Sequence, residues 1–129
     1  MNYTKSTHNI NVTVSSVYQD AVSEPEEDYH VFSYDVMIEN EGQEPIQVMG
    51  RNWYIVDGLG QTRVVTGEGV VGETPIIEVG EAFEYNSWCE LHTEVGKMWG
   101  SYLVKRLSDG LEYEVSIPVF MLLPHFRLN

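Results

Sequence analysis

Gly67, Gly69 and Gly72 lie within Thr66–Pro75, TGEGVVGETP, in the order G-x-G-x-x-G. That spacing holds a pyrophosphate where it follows a strand and opens a helix. The helix N-terminus then offers free N–H groups and the positive end of its dipole. The first condition is met by Arg63-Val64-Val65. The second is not: Pro75 comes three residues after Gly72, and Val79-Gly80-Glu81 breaks any helix begun beyond it. Glu68 inside the motif and Glu73 just after it also oppose phosphate. Like charges ~4 Å apart repel by about 1 kcal/mol in water and about 4 kcal/mol at an effective dielectric of 20. Arg63, folded back over the loop, would offset part of this. The glycines therefore read as a bend between strands, with Val70 and Val71 tucked onto the core. The alternative is a weak anion site built from the backbone N–H groups at Gly67, Gly69 and Gly72.

Other chemistry-bearing residues are sparse. His8, His30, His92 and His125 show no zinc spacing, and Cys89, the one cysteine, cannot supply a thiolate cluster. On a strand, Glu90, His92 and Glu94 would point the same way and could hold a divalent ion weakly. The same residues also suit a polar loop at a strand end, which is the reading adopted. Glu24, Glu26, Glu27 and Asp28 could attract Mg²⁺ or Co²⁺ loosely but lack the oxygen spacing of an EF-hand. Ser87 and Cys89 have His92 close in sequence but no recognised nucleophile arrangement; Cys89 reads as a small buried hydrophobe. No residue is assigned to catalysis, to a metal or to a cofactor.

The elements that would position these groups are strands. Ile10, Val12 and Val14 alternate with polar residues across Asn9–Tyr18; Phe32, Tyr34, Val36 and Ile38 do so across Tyr29–Glu39. Further strands are expected over Ile46–Val56, Gln61–Thr66, Ala82–Ser87, Lys97–Leu107 and Leu111–Phe120. Asp57-Gly58 and Ser108-Asp109-Gly110 are hairpin signals. Ala21–Asp28, with Pro25 and its carboxylates, reads as a solvated loop. No segment carries a helical repeat. The pattern predicts an all-β chain of seven to eight strands: one antiparallel sandwich domain over residues 1–129, of immunoglobulin-like or fibronectin type III-like architecture. A closed barrel is the runner-up.

Charge excludes some functions. Seven Lys and Arg face twenty Asp and Glu, for a net charge of −13. That composition argues against nucleic acid, whose affinity comes largely from cationic side chains on phosphate, and against anionic membrane. The lone cysteine and an N-terminus without an apolar run lead to an expectation of a cytoplasmic protein.

The segment Thr66–Trp88, TGEGVVGETPIIEVGEAFEYNSW, resembles the signature of the ApaG family. Gly96–Phe120 continues the likeness with a G-x-M-x-G-x-Y strand, a glycine hairpin and an I-P-x-F ending. The similarity spans Thr7 to about Phe120 and is strongest from Arg63 onward. Two positions depart: Val79 stands where the family usually has proline, and Trp88 where it usually has glycine. The resemblance implies a fibronectin type III-like sandwich, and a link in bacterial members to cobalt and magnesium handling. It also implies protein-interaction roles like those of eukaryotic relatives in F-box and polymerase-interacting proteins. Pyrophosphate at Gly67, Gly69 and Gly72 is a further implication. The expectation is thus a non-enzymatic module that binds an unidentified protein partner, as monomer or homodimer. The alternative is an accessory protein of divalent-cation homeostasis that binds a phosphate ligand or metal ion weakly. Met121, Leu122, Leu123, Phe126 and Leu128 either cover the open end of the sandwich or form a contact surface. Trp53, Trp88 and Trp99 are core anchors or, where exposed, hot spots.

Overall fold

The structure is a computed structural model and describes residues 1–127. Nine strands appear in chain order: β1 Asn2–Thr7, β2 Ile10–Tyr18, β3 His30–Asn40, β4 Ile46–Asp57, β5 Thr62–Glu68, β6 Ile76–Ile77, β7 Ala82–Leu91, β8 Gly96–Arg106 and β9 Glu112–Leu122. One antiparallel sheet has the order β1-β2-β3-β7; the other runs β5-β4-β8-β9, with β6 also on β4. The sheets face each other as a sandwich, as the alternating pattern predicts. Among the described residues, no helix is long and apolar enough to cross a membrane.

The alternation places the core. Ile10, Val12 and Val14 of β2 and Phe32, Tyr34, Val36 and Ile38 of β3 are all buried. They meet Val48, Trp53 and Ile55 of β4 and Met98, Tyr102 and Val104 of β8 in one apolar cluster. In β9 the inward phase changes. Val115 and Ile117 are buried, but so are Phe120 and Leu122, one step out of alternation. The register of β8 against β9 shifts between Met98 and Gly100, opposite Pro118-Val119. A bulge there restores the inward phase, and Pro118 sits where its missing N–H breaks no regular ladder.

Four elements differ from expectation. β6 is a two-residue strand, too short for an alternation signal and held by pairing to Ile46 and Gln47 of β4; with β1 it brings the described strands to nine, above the seven to eight expected. β1 is a strand although NYTKST has no apolar alternation; it is held by backbone pairing to β2, from Asn2 opposite Ser15 to Thr7 opposite Ile10. β7 runs on past Ser87 to Leu91, because Trp88 to Leu91 continue the ladder on β3. The loop Ala21–Asp28 contains a short 3₁₀ turn, Pro25–Glu27, closed by Asp28 at φ 51°.

Candidate functional site

The glycine segment is a sideways excursion between two strands that pair with the same neighbour. β5 pairs with β4 from Val56 to Gly50, and β6 pairs with the start of β4 at Ile46 and Gln47. The chain leaves β5 where the Gly69 N–H donates to the Met49 carbonyl (2.8 Å) and rejoins where the Pro75 carbonyl accepts from the Val48 N–H (2.9 Å). Between them Val70 and Glu73 exchange N–H···O bonds of 2.8 and 2.9 Å, closing a tight turn. No helical turn forms, so no helix N-terminus points at the loop.

Each glycine has its own reason. Gly69 has φ 60°, and a Cβ there would run into the Glu73 carbonyl. Gly72 has φ 80° with open space around it. Gly67 lies within β5, where a Cβ would come 2.7 Å from Nη2 of Arg51. It leaves room for a guanidinium to lie against the strand. Val70 is fully buried, as expected, but Val71 is not: it has φ 44° and is 54% exposed. The turn can point only one of two adjacent valines inward. The arginine that folds over the loop is Arg51, whose Nη1 donates to the carbonyls of Glu68 (2.9 Å) and Gly69 (3.0 Å). Arg63 instead reaches across to β7, where Nη2 donates to the Glu90 carbonyl (2.9 Å) and lies 3.5 Å from Cys89 Sγ.

These two arginines line a cleft of about 610 Å³ on the flank where β5 and β7 leave their outer edges unpaired. Trp53, Tyr34 and Met98 form its floor, with Ser87, Tyr85 and Cys89 on the β7 wall. Trp88 (55% exposed), Val65 and Val71 stand at its rim. Tyr85 and Tyr102 share a hydrogen bond between their hydroxyls. Burial pushes both phenols up, and the nearby Arg51 charge pulls the other way without overcoming it. Tyr34 shifts upward for the same first cause, opposed by a bond with Ser87. Burial also raises the Cys89 thiol, partly offset by Arg63. Cys89 is thus a buried thiol, not an activated nucleophile.

The cleft itself is not legible from local spacing. Its arginines come from Gly50-Arg51-Asn52 and Thr62-Arg63-Val64, two ordinary strand positions. The one signal in the sequence is that two of the seven Lys and Arg stand on either side of the Asp57-Gly58 hairpin turn, upstream of the glycine segment.

The residues weighed for metal do not converge. Glu90, His92 and Glu94 are parted because β7 ends at Leu91. Glu94 pairs with Arg127, which lowers its pKa, and His92 faces the Tyr29 ring. His8 packs edge-on against Tyr113, and His125 bonds Asp20 at 2.9 Å. His30 is buried; its Nδ1 meets the Tyr18 hydroxyl at 2.9 Å, and its Nε2 has no hydrogen-bond partner, with Asp28 at 3.6 Å. Among the described residues, no group of three or more His, Cys, Asp or Glu could hold a metal ion.

At the C-terminal end Leu122 is buried, while Phe126 packs edge-on against Tyr18 and remains 46% exposed. Leu128 lies outside the described residues. Of the tryptophans, Trp53 is a core anchor, Trp99 stacks on Tyr54 beneath Lys97, and Trp88 is exposed.

Two antiparallel sheets closed around one apolar core, with bulged strands and, among the described residues, no α-helix, define an immunoglobulin-like or fibronectin type III-like β-sandwich. The chain belongs to the ApaG family: the family model described as "ApaG domain" matches residues 20–106. It is 43% identical over 116 residues to Protein ApaG of Azoarcus sp. (strain BH72), covering 90% of this chain and 91% of that protein. It is 45% identical over 115 residues to Protein ApaG of Pseudomonas aeruginosa (strain LESB58), covering 89% and 90%. Among solved structures it is similar to the ApaA protein of Bordetella pertussis, with TM-score 0.88, 38% identity and coverage of 93% of this chain and 97% of that one. A second crystal structure, from a structural genomics programme, has TM-score 0.87 and 35% identity, covering 94% and 91%.

Proposed function

We propose that the protein is a non-enzymatic binding module that docks a protein partner on the flank between β5 and β7. The observation that carries this is Trp88, 55% exposed beside a cleft and on a strand whose outer edge is unpaired. A large aromatic left in water at a pocket rim is the kind of residue that dominates interface energetics. The neighbouring edge has the same character: β5 pairs only with β4, and Val64 and Val65 are exposed on its two faces. An unpaired, partly apolar strand edge is a template for an added strand unless it is covered or charged. The buried thiol and raised phenols offer no group poised to donate or abstract a proton near neutrality.

The test is affinity capture from extract of the source cells with the intact protein, Trp88→Ala, and Val22→Ala as a control on the distant β2–β3 connection. The reading expects a stoichiometric partner that Trp88→Ala loses and Val22→Ala retains. Equal capture by both variants, or no stoichiometric partner at all, overturns it.

A further inference from the structure

We propose that the flank cleft is a carboxylate receptor, with Arg51 and Arg63 as its two cationic poles, and that its ligand carries the carboxylate on an apolar or aromatic body. The inference rests on the docking reading only for the location of the surface.

The charges argue first. The chain has twenty acidic residues and seven Lys and Arg. The ion pairs of arginine among the described residues are Arg106–Asp109 and Arg127–Glu94, while His125 and His30 lie 2.9 and 3.6 Å from Asp20 and Asp28. Arg51 and Arg63 join none of them. Each is anchored instead by backbone carbonyls, Glu68 and Gly69 for one and Glu90 for the other. A carbonyl orients a guanidinium without neutralising it. A guanidinium has five N–H donors in a fixed fork, and here only one Nη of each is engaged. Two aimed cations with spare donors face the same cleft. The backbone is shaped to this end, because Gly67 leaves open the space that the Arg51 guanidinium occupies.

The surroundings select among anions. Ser87 and Tyr85 add hydroxyls to the β7 wall, while Trp53 and Met98 below and Trp88 and Val71 at the rim supply apolar surface. About 610 Å³ fits a small organic body, within the roughly 300–1,000 Å³ of ligand pockets. Glu90 also lines the cleft, and the net charge of −13 repels a polyanion from a distance. A carboxylate brings one charge and matches the guanidinium fork in two-point contact. Pyrophosphate brings more charge than two arginines beside a glutamate offset, and no apolar body for the floor.

The experiment titrates the ¹⁵N-labelled protein while following the arginine Nε–Hε signals. The probes are 3-phenylpropionate, its neutral amide, a pentapeptide ending in phenylalanine as free acid and as amide, and inorganic phosphate and pyrophosphate. The acids are expected to shift the Arg51 and Arg63 signals saturably, with the matching amides at least about tenfold weaker. Arg51→Lys and Arg63→Lys keep the charge but lose the fork, and each is expected to weaken the acids by roughly tenfold. Gly67→Ala is expected to move the Arg51 signal and weaken binding with the strand intact. Arg106→Lys, remote and already paired, is expected to leave affinity unchanged. Tighter binding of the peptide acid assigns the ligand to a chain terminus; equal binding assigns it to a free acid. Either supports the receptor. Equal binding of acids and amides, no saturable shift, or tighter binding of phosphate or pyrophosphate than of the acids overturns it. Equal capture by Trp88→Ala and Val22→Ala, or no stoichiometric partner, with acid binding retained would sink the docking reading alone.

Discussion

Cys89 shows how one residue can be decided by its surroundings. Its side chain packs in the core cluster while Arg63 crosses 3.5 Å from its sulfur. Burial penalises the thiolate, the guanidinium favours it, and burial wins: the thiol is raised above its ordinary value. The folded pKa lies above the unfolded one. The resulting stability is therefore complete below the unfolded value of about 8.5 and is lost progressively as pH rises from there through the raised folded value. Tyr85 and Tyr102, also raised by burial, respond only above the ordinary phenol range near ~10. The interval between about 8.5 and 10 therefore belongs to Cys89. Guanidinium midpoints between pH 7 and 9.5 are expected to fall for the wild type and to fall less for Cys89→Ala. Parallel curves would remove the thiol from the account. Iodoacetamide at pH 8 should alkylate the folded protein far more slowly than the unfolded chain.

Among the elements, the strands that alternate apolar and polar residues were legible from sequence because one face of each is buried. β2, β3 and β4 lie within two residues of their expected bounds. β1 was not legible, because Tyr3 is its one apolar side chain packed on the core, too little for an alternation signal, and backbone pairing to β2 does the rest. The end of β7 was obscured by Trp88 and Glu90, whose outward side chains carry no alternation signal. The glycine segment was legible as a bend and not as a helix start, since Pro75 and the Val79-Gly80-Glu81 run forbid the latter. What spacing could not separate is the part played by each glycine, which depends on neighbours distant in sequence. Gly69→Ala must enter the left-handed region and strike the Glu73 carbonyl, so it is expected to cost about 2 kcal/mol or more. Gly72→Ala pays only the backbone strain, about 1 kcal/mol. Gly67→Ala meets the movable end of Arg51 in ordinary strand backbone and is expected to cost less than Gly69→Ala. Urea unfolding of the three variants checks the order; a Gly67→Ala loss exceeding that of Gly69→Ala would refute it.

At the scale of the whole molecule, composition was informative about charge and silent about where the few cations go. The placement of Arg51 and Arg63 on one flank is a product of topology: β4 and β5 run side by side, and the β7 edge of the other sheet faces them. The remaining charge is an unbalanced negative surface. Self-repulsion of this kind opposes the compact state. It is crowded in the loop before β3, where Glu27 pushes the exposed Glu24 carboxyl up, by hydrogen bonding first and by its charge second. Replacing Glu27 with lysine exchanges one negative for one positive charge and takes the net charge from −13 to −11. Glu27 lies in a short turn with no buried residue, so the change disturbs no packing. Glu27→Lys is therefore expected to raise Tm at low salt. The gain should shrink as the Debye length falls from about 30 Å at 0.01 M to about 3 Å at 1 M. A gain that persists undiminished in 1 M NaCl would mean that the lysine acts through a local contact, and that net repulsion is not what limits the stability of this sandwich.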